Sequence, residues 1–299
     1  MSPSDAGTET FEAQRPRLLR LAYRMLGSLA EAEDVVQDAW LRWRQVDRGE
    51  VREPAAFLSR IVTRLCLDVM KSARARRETY VGEWLPEPLP DAADEIDHDD
   101  LTLTLMLALE RLSPLERAAF LLHDVFGVAL DEVAVTLDRD AAAVRQLAVR
   151  ARRHVQDARP RYPVAHDEGN RIAEAFFAAT RSGDLAALRS MLADNVVLQS
   201  DGGGKVHAFL NPIVGLQRVL RLFAGLQRKT ADQPPQLIRP MWIDGLPGYA
   251  SMERGAPLQI TALAIENGRI GAIYITRNPD KLRAVSQALA HDRPAARPH

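Results

Sequence analysis

Residues 113–155 read SPLERAAFLLHDVFGVALDEVAVTLDRDAAAVRQLAVRARRHV, and this stretch decides the fold of the middle of the chain. Its first residues carry the start signal of a helix. Ser113 is placed to cap the helix, Pro114 occupies the first turn, and Glu116 is placed to close a capping box. We expect this helix to end at Gly127.

Two further helices are predicted over 130–137 and 141–155, and the three residues between them suit a helix-turn-helix. Helix pairs with short turns occur in any all-α protein, so charge is the discriminating feature. From position 141 to 154 there are four arginines and no acidic residue, the arginines being Arg145, Arg150, Arg152 and Arg153. Arginines on one exposed helix face match phosphate oxygens and guanine edges in a major groove, so the pattern favours DNA binding.

Three amphipathic helices are predicted upstream, because apolar residues recur there at spacings of three and four. They cover Leu18 to Leu29, Ala32 to Trp43 and a segment that opens after Pro54. The third helix ends in a cluster of basic residues, which is either a functional surface or a favourable pairing with the helix dipole on a solvated face. Cys66 lies on its apolar face and is predicted to be a buried, unreactive thiol.

Composition limits the number of domains and the classes of protein to which these segments can belong. A length of 299 residues suits two or three domains, and a net charge of −1 means that any basic surface is local. A single cysteine excludes an internal disulfide framework and a cysteine zinc site, and it favours a cytoplasmic location. The sequence has no apolar run of about 18 residues and no signal-peptide pattern, so no membrane partner is expected.

The segment 81–100 divides the two helical regions and holds eight acidic residues with no Lys or Arg. Its three prolines exclude a continuous helix, so we expect an extended linker. Such a linker has no core of its own in which to bury Trp84 and Leu85. These two side chains are therefore expected to pack on another domain.

The C-terminal region has a different pattern, with helices first and β-rich runs after them. The predicted helices are 170–180, 185–192 and one from Pro212 to about 226, and the strand-like runs are 196–200, 205–209, 237–243, 258–265 and 269–276. Asn267-Gly268 between the last two runs is a strong hairpin signal. The region is therefore predicted to be an α+β domain.

Several strings of this sequence resemble a known family. DVVQDAWLRW (34–43), PAAFLSRIVTRLCLDVMKSARARR (54–77) and the stretch 113–155 together resemble regions 2 and 4 of an extracytoplasmic-function sigma factor, a promoter-recognition subunit of RNA polymerase. WLPEP (84–88), DGGGK (201–205) and NPDKL (278–282) are similar to the SigJ type, in which the sigma module is fused to a SnoaL-like C-terminal domain.

The resemblance implies a multidomain chain of two all-α sigma domains followed by an α+β SnoaL-like cone domain with an interior pocket. The implied divisions are a region 2 domain over 1–80, an acidic Pro-rich linker over 81–100, a region 4 helix-turn-helix domain over 101–160 and a SnoaL-like regulatory domain over 168–290. The implied partners are promoter DNA and core RNA polymerase, the latter through its β′ clamp and β flap.

The resemblance also assigns residues to surfaces. Asp34, Gln37 and Asp38 are expected to dock the β′ clamp. The minus-10 element is expected to be bound by Phe57, Arg64, Lys71, Arg74 and Arg77. The minus-35 element is expected to be bound by Arg145, Gln146, Arg150 and Arg153.

A fourth set of residues is expected to form a regulatory interdomain contact between the linker and the C-terminal domain. It comprises Trp84, Leu85, Pro86, Asp201, Gly202, Gly203, Gly204, Lys205, Asn278, Pro279, Asp280, Lys281 and Leu282. Lys205 is expected to meet Glu83 or Glu87 as an exposed pair of small energetic weight. The alternative is that these strings only stabilise the C-terminal domain and do not control transcription.

No catalytic residues are predicted in the C-terminal domain. Asp201, Lys205 and His207 offer acid–base groups, but no His–Asp pair or carboxylate dyad stands at an informative spacing. We therefore predict a non-enzymatic protein without cofactor or metal, and leave open a small-molecule ligand in the C-terminal pocket. The alternative is a DNA-binding regulator fused to a small-molecule-converting enzyme of the SnoaL type.

Overall fold

The computed structural model describes residues 3–47, 51–78, 80–91, 103–156, 164–253 and 258–291. The chain forms two compact units, of which the first combines Met1–Thr79 with Met106–Ala158 and the second combines Tyr80–Leu105 with Arg159–His299. The beginning of the predicted linker therefore belongs to the second unit. Its acidic continuation over 92–100 lies outside the described residues. No described helix combines the length and the apolar character that crossing a membrane requires.

The described part of the first unit is all helical, as predicted. Its helices are α1 (Pro3–Leu26), α2 (Leu29–Arg44), α3 (Pro54–Glu78), α4 (Leu103–Glu110), which begins in the second unit, α5 (Pro114–Phe120), α6 (Leu130–Leu137) and α7 (Ala141–Gln156). Helices α1, α2 and α3 pack against one another. At their centre Trp43 is buried, donates its indole N–H to the Gly7 carbonyl at 2.9 Å and contacts the ring of Phe57.

The start of α5 confirms the predicted capping box. The Ser113 hydroxyl accepts the Glu116 backbone N–H, and the Glu116 carboxylate accepts the Ser113 backbone N–H. The helical path ends beside Gly127, as expected, but its last part differs from an α-helix. Residues Leu121–Val125 form a π-helical turn, closed by a bond from the Phe126 N–H to the Leu121 carbonyl.

The turn between α6 and α7 confirms the predicted helix pair. Asp138 has a φ of 54°, a left-handed conformation that Asp tolerates better than most residues with a side chain. Two residues later, the Asp140 carboxylate accepts the Ala143 N–H at 2.7 Å. This bond satisfies one of the free donors at the start of α7.

A buried arginine links the N-terminal and middle helices of the first unit. Arg117 is 1% exposed, forms an ion pair with Glu110 and donates to the carbonyls of Met25 and Leu109. Met25 lies at the end of α1, so one guanidinium fixes the two helical regions to each other. A lone arginine in an amphipathic sequence pattern gives no signal of this role.

The second unit is built on a six-stranded sheet with the order β2-β1-β6-β5-β4-β3. Its strands are β1 (Leu192–Asp201), β2 (Ile213–Val214), β3 (Gln236–Ile243), β4 (Leu246–Met252), β5 (Leu258–Glu266) and β6 (Arg269–Thr276), and its helices are α8 (His166–Ser182), α9 (Leu185–Met191), α10 (Leu216–Thr230) and α11 (Arg283–His291). Strand β1 runs parallel to β6, and the other neighbouring strands are antiparallel. Apolar residues of α8, α9 and α10 share one buried core with the sheet. The predicted α+β class is confirmed.

Three local predictions for this unit need correction. Residues 205–209 form no strand, because the chain turns back at Gly202 and continues as a loop. Pro212 does not begin a helix; the short strand β2 comes first, and α10 starts at Leu216. Strand β4, with the sequence LPGYASM, was not predicted at all. The hairpin at Asn267-Gly268 is confirmed by φ angles of 51° and 71°.

Candidate functional site

A buried carboxylate connects the linker to the C-terminal part of the second unit. Asp201, the last residue of β1, has no exposed surface. Its Oδ2 accepts the Leu85 backbone N–H at 2.9 Å, and its Oδ1 accepts the hydroxyl of Tyr80 and the N–H of Gly203. Lys281 balances the charge, with its Nζ 2.7 Å from Oδ2. We call the set of Tyr80, Trp84, Leu85, Asp201, Asn278 and Lys281 the linker clasp.

Lys281 contributes three contacts to the clasp. Besides its ion pair with Asp201, the ammonium group donates to the Leu85 carbonyl. It also lies 4.0 Å from the centroid of the Trp84 ring, a cation–π distance. The Lys281 side chain is only 12% exposed, so these contacts replace its hydration shell.

Asn278 joins the C-terminal turn to the linker. Its Oδ1 caps the short helical turn Pro279–Lys281 by accepting the Asp280 N–H, and its Nδ2 donates to the Tyr80 hydroxyl at 2.9 Å. Burial and the bond to Asp201 raise the pKa of Tyr80 well above its ordinary value. The hydroxyl therefore stays protonated and remains the donor toward Asp201.

The glycines after Asp201 make room for these contacts. A Cβ on Gly203 would lie within about 2.5 Å of the Asn278 amide, and the φ of Gly203 is 62°. A Cβ on Gly202 would lie against the Val206 carbonyl oxygen. Gly204 has a φ of 70° and faces the side chain of Val81 in the linker. Larger residues would open this loop.

The expectation that Lys205 pairs with Glu83 or Glu87 is wrong. Lys205 lies at the exposed end of the glycine loop and forms its ion pair with Asp280, the residue next to Lys281. The Glu83 carboxylate instead accepts a hydrogen bond from the Gln199 amide at 3.3 Å. The lysine that holds the linker is therefore Lys281, which is next to Asp280 in the sequence and lies deeper in the fold than Lys205.

The linker has a second attachment at the turn between β3 and β4. Asp244 accepts the Leu89 N–H through its carboxylate and donates its own N–H to the Leu89 carbonyl. Asp91 in turn accepts the Gly245 N–H and donates its N–H to the Trp242 carbonyl. Between the two attachments Leu85, Pro86, Glu87 and Pro88 are buried. The segment 80–91 is thus fixed along its length without regular secondary structure.

The basic residues of helix α7 differ in their ion pairing. Arg145 and Gln146 are exposed and line a shallow cavity of about 260 Å³ together with Val149 and Arg150. Arg150 is also bound, through Nε, to the carboxylate of Glu116 at 2.7 Å. Although partial burial opposes it, the bonds from Ser113 and Arg150 lower the pKa of Glu116. The cap of α5 therefore also orients Arg150.

The sequence comparisons identify the helices of the first unit. Residues 10–76 match the Sigma-70 region 2 family, and residues 102–155 match Sigma-70, region 4. The ECF RNA polymerase sigma factor SigJ of Mycobacterium tuberculosis (strain ATCC 25618 / H37Rv) is 38% identical over 291 residues, covering 91% of each chain. The chain belongs to the extracytoplasmic-function RNA polymerase sigma factors.

One further relative and one solved structure also match beyond the sigma regions. The probable ECF sigma factor SigI of Mycobacterium tuberculosis (strain CDC 1551 / Oshkosh) is 33% identical over 298 residues, which is 95% of this chain and 98% of the relative. The crystal structure of Mycobacterium tuberculosis SigJ matches with a TM-score of 0.73 and 34% identity, over 93% of this chain and 98% of that one. As an ECF sigma factor, this chain acts in transcription with core RNA polymerase and promoter DNA.

The residues predicted for the minus-10 element of this sigma factor are spread along α3. Phe57 is half-buried against Trp43, and Lys71 is exposed and paired with Asp68 at 2.9 Å. Arg74 and Arg77 lie on the backbone of α3, but their side chains lie outside the described residues. These residues therefore follow one helix.

Arg64 has an unexpected partner in this sigma factor. Its guanidinium donates to the carbonyls of Thr136 and Val135, at 3.2 and 3.3 Å, in the last turn of α6. A residue predicted to bind the minus-10 element therefore contacts α6 of the region 4 helix pair. No sequence pattern indicates this contact, because it joins positions more than 70 residues apart.

The predicted polymerase-docking residues share an exposed face. Asp34, Gln37 and Asp38 lie on α2 opposite its buried residues, which are Ala32, Val35, Val36, Ala39 and Trp43. Arg153, the last predicted minus-35 residue, is also exposed, near the end of α7. Exposure leaves these side chains accessible to a partner.

The acid–base candidates of the C-terminal domain do not converge on one site. Asp201 is engaged in the clasp, Lys205 is paired with Asp280, and His207 is exposed, with its carbonyl accepting a bond from Arg277. Within the described ranges no group of three or more His, Cys, Asp or Glu side chains is placed to hold a metal ion. A separate groove of about 640 Å³ runs between α8, α10 and β3.

Proposed function

We propose that this sigma factor regulates its own promoter-specific transcription through the linker clasp. The observation that carries the proposal is the Asp201 carboxylate, which is fully buried and accepts hydrogen bonds from two linker residues, Tyr80 and Leu85. Hydrogen bonds to charged groups are worth roughly 1.5 to 3 kcal/mol each. Clasp and linker therefore form one structural element.

Holding the linker limits how far the two sigma regions can separate. Between the end of α3 at Glu78 and the start of α4 at Leu103 lie 24 residues, which would span about 80 Å when fully extended. The clasp and the β3–β4 turn hold residues 80–91 of this segment. The 11 residues 92–102 that follow would span about 36 to 40 Å. Region 2 and region 4 bind two separate promoter elements, so they need the longer distance that the released linker can span.

The contact of Arg64 supports the interpretation that the described arrangement is the resting state of the protein. The same guanidinium is assigned to the minus-10 element and donates to the end of α6 in region 4. It cannot serve DNA and these two carbonyls at once. We therefore propose that release of the linker and separation of region 2 from region 4 accompany promoter binding.

The remaining surfaces are proposed to act as the family resemblance implies. Asp34, Gln37 and Asp38 dock the β′ clamp of core polymerase, and region 4 contacts the β flap. Arg145 and Gln146 contact base edges of the minus-35 element, whereas Arg150 is positioned by Glu116 and contacts the adjacent backbone. These partners place the protein with RNA polymerase in the cytoplasm.

The C-terminal domain is proposed to be regulatory and not catalytic. Its acid–base candidates are separated from one another or already paired, as described above. A small-molecule ligand that modulates the clasp would bind in the groove beside Phe177, Arg181 and Leu237.

The proposal is tested by Asp201→Asn in the full-length chain. We expect faster hydrogen exchange at the Leu85 amide and increased run-off transcription with core polymerase. Asp194→Asn, at an exposed position of the same strand, is the matched control and should change neither quantity. A folded Asp201→Asn protein with wild-type exchange and wild-type transcription would refute the proposal.

A further inference from the structure

Helix α10 carries a row of basic residues that has no assigned role in the function of a sigma factor. Its exposed residues include Arg218, Arg221, Arg228 and Lys229, and its 15 residues contain no Asp or Glu. Among the described helices only α10 and α7 combine four basic residues with no acidic one. Helix α7 lies in region 4, the DNA-binding region of the family.

The three arginines lie on one side of α10. Positions 218, 221 and 228 fall within an arc of about 80° on a helix of 3.6 residues per turn. The opposite side packs into the core through Leu216, Val219, Leu220 and Phe223. The arginine side is therefore directed away from the core by the packing of the helix itself. Over 10 residues the row extends about 15 Å.

The three arginines of this row form no ion pair with a carboxylate of the described residues. The Nε atoms of Arg221 and Arg228 donate only to backbone carbonyls of their own helix, those of Gln217 and Ala224. In α7, by contrast, Arg150 and Arg152 are paired with Glu116 and Asp124.

The chemistry of the row fits a polyanion with regularly spaced charges. A guanidinium fork binds phosphate oxygens with two parallel bonds, and each strand of DNA carries one phosphate per 3.4 Å of helix axis. A row of about 15 Å therefore faces several consecutive phosphates. Contacts to phosphate oxygens carry no sequence information by themselves, so binding of the row to the backbone would be independent of sequence.

We propose that the arginine row of α10 is a second DNA-contacting surface, which binds the phosphate backbone next to the promoter elements. The C-terminal domain then adds sequence-independent affinity to the sequence-specific contacts of α7. This role is separate from the clasp, since α10 contributes no residue to it.

The test measures binding of the full-length chain to a random-sequence duplex over a range of salt concentrations. The slope of log K against log salt is negative, and each lost phosphate contact reduces its magnitude by about 0.9. We expect the triple variant Arg218→Ala, Arg221→Ala, Arg228→Ala to reduce this magnitude by about 2 to 3 and to weaken binding at least tenfold at about 0.1 M salt. The matching Arg→Lys triple should retain most of the slope, because lysine keeps the charge.

The control is a triple alanine variant at Arg171, Arg189 and Arg269, three exposed arginines of the same unit. It removes the same net charge from other surfaces and should leave the slope near the wild-type value. An unchanged slope in the α10 variant, or an equal loss in the control, would overturn the proposal. A loss of core polymerase affinity without a change in DNA binding would also overturn it and would assign the row to a protein partner. Clasp regulation is assayed independently by Asp201→Asn.

Discussion

Lys281 and Asp201 form an ion pair of 2.7 Å with almost no exposure to water, at 12% and 0% of their side chains. Removing one partner of a buried pair typically costs about 3 to 5 kcal/mol, because the other charge is left unpaired. Both partners also bind linker groups, namely the carbonyl and the N–H of Leu85. The ion pair therefore makes the position of the linker part of the stability of the C-terminal domain.

The glycine loop is expected to tolerate no side chain at its second glycine. Gly203→Ala would place a methyl group against the Asn278 amide, whereas Gly268→Ala, at a similar φ of 71°, meets no atom within 4 Å. Both changes carry the cost of a left-handed alanine, about 1 to 2 kcal/mol. We expect the melting temperature to fall clearly further for Gly203→Ala. Equal losses would show that the contact of Gly203 with Asn278 is unimportant.

The role of Arg64 is tested against that of Lys71 on the same helix. Arg64→Ala removes two hydrogen bonds to α6, at a net cost of about 1 to 3 kcal/mol. Lys71→Ala removes an exposed pair with Asp68 and should cost less than about 1 kcal/mol. Urea unfolding of the full-length proteins measures the difference. If both variants unfold alike, the contact between region 2 and region 4 contributes no stability in solution.

Arg145 and Arg150 are expected to differ in DNA selection. Arg145→Ala should weaken binding to selected minus-35 sequences by about 1 to 3 kcal/mol and relax the preference at one base position. Arg150→Ala should weaken binding more uniformly, since Arg150 is held by Glu116. Selection from a randomised duplex pool by each holoenzyme measures both effects. Unchanged preference in the Arg145→Ala pool would contradict the assignment.

Glu116 is expected to give the first unit an acid-sensitive contribution to stability. Its pKa is lowered in the folded chain by Ser113 and Arg150, so the unfolded state takes up a proton at higher pH than the folded state. The contribution is therefore present above the ordinary carboxyl pKa and is lost as pH falls through the lowered value. Glu116→Gln should destabilise the protein at pH 7, and this loss should shrink as pH falls through the lowered pKa. A destabilisation independent of pH would contradict this origin.

Much of the fold was predictable because local patterns determine it. Ser113 and Glu116 define a helix start by themselves, and Asn267-Gly268 defines a hairpin by itself. Strand β4 escaped prediction because it lies inside the sheet, where six of its seven residues are buried and no alternation of polar and apolar residues remains. Its Gly248 is required because a Cβ there would lie 2.0 Å from the Thr261 carbonyl oxygen.

For the site, the sequence motifs that contribute to it were predictable, but the contacts between their residues were not. The sequence could suggest that Trp84 and Leu85 need a surface, but it could not decide between Lys205 and Lys281 as the lysine that holds them. That choice depends on depth in the fold: Lys205 lies on a loop and is 56% exposed, whereas Lys281 is buried beneath the linker. Long-range contacts such as that of Arg64 with Thr136 leave no trace in local sequence.

The most direct test of clasp regulation compares the two lysines in run-off transcription with core polymerase. The full-length variants Lys281→Gln and Lys205→Gln remove the same charge, one inside the clasp and one from an exposed pair with Asp280. With folding verified by thermal melts, Lys281→Gln should transcribe several-fold more than wild type and Lys205→Gln should match it. Transcription by folded Lys281→Gln at or below the wild-type level would contradict the account.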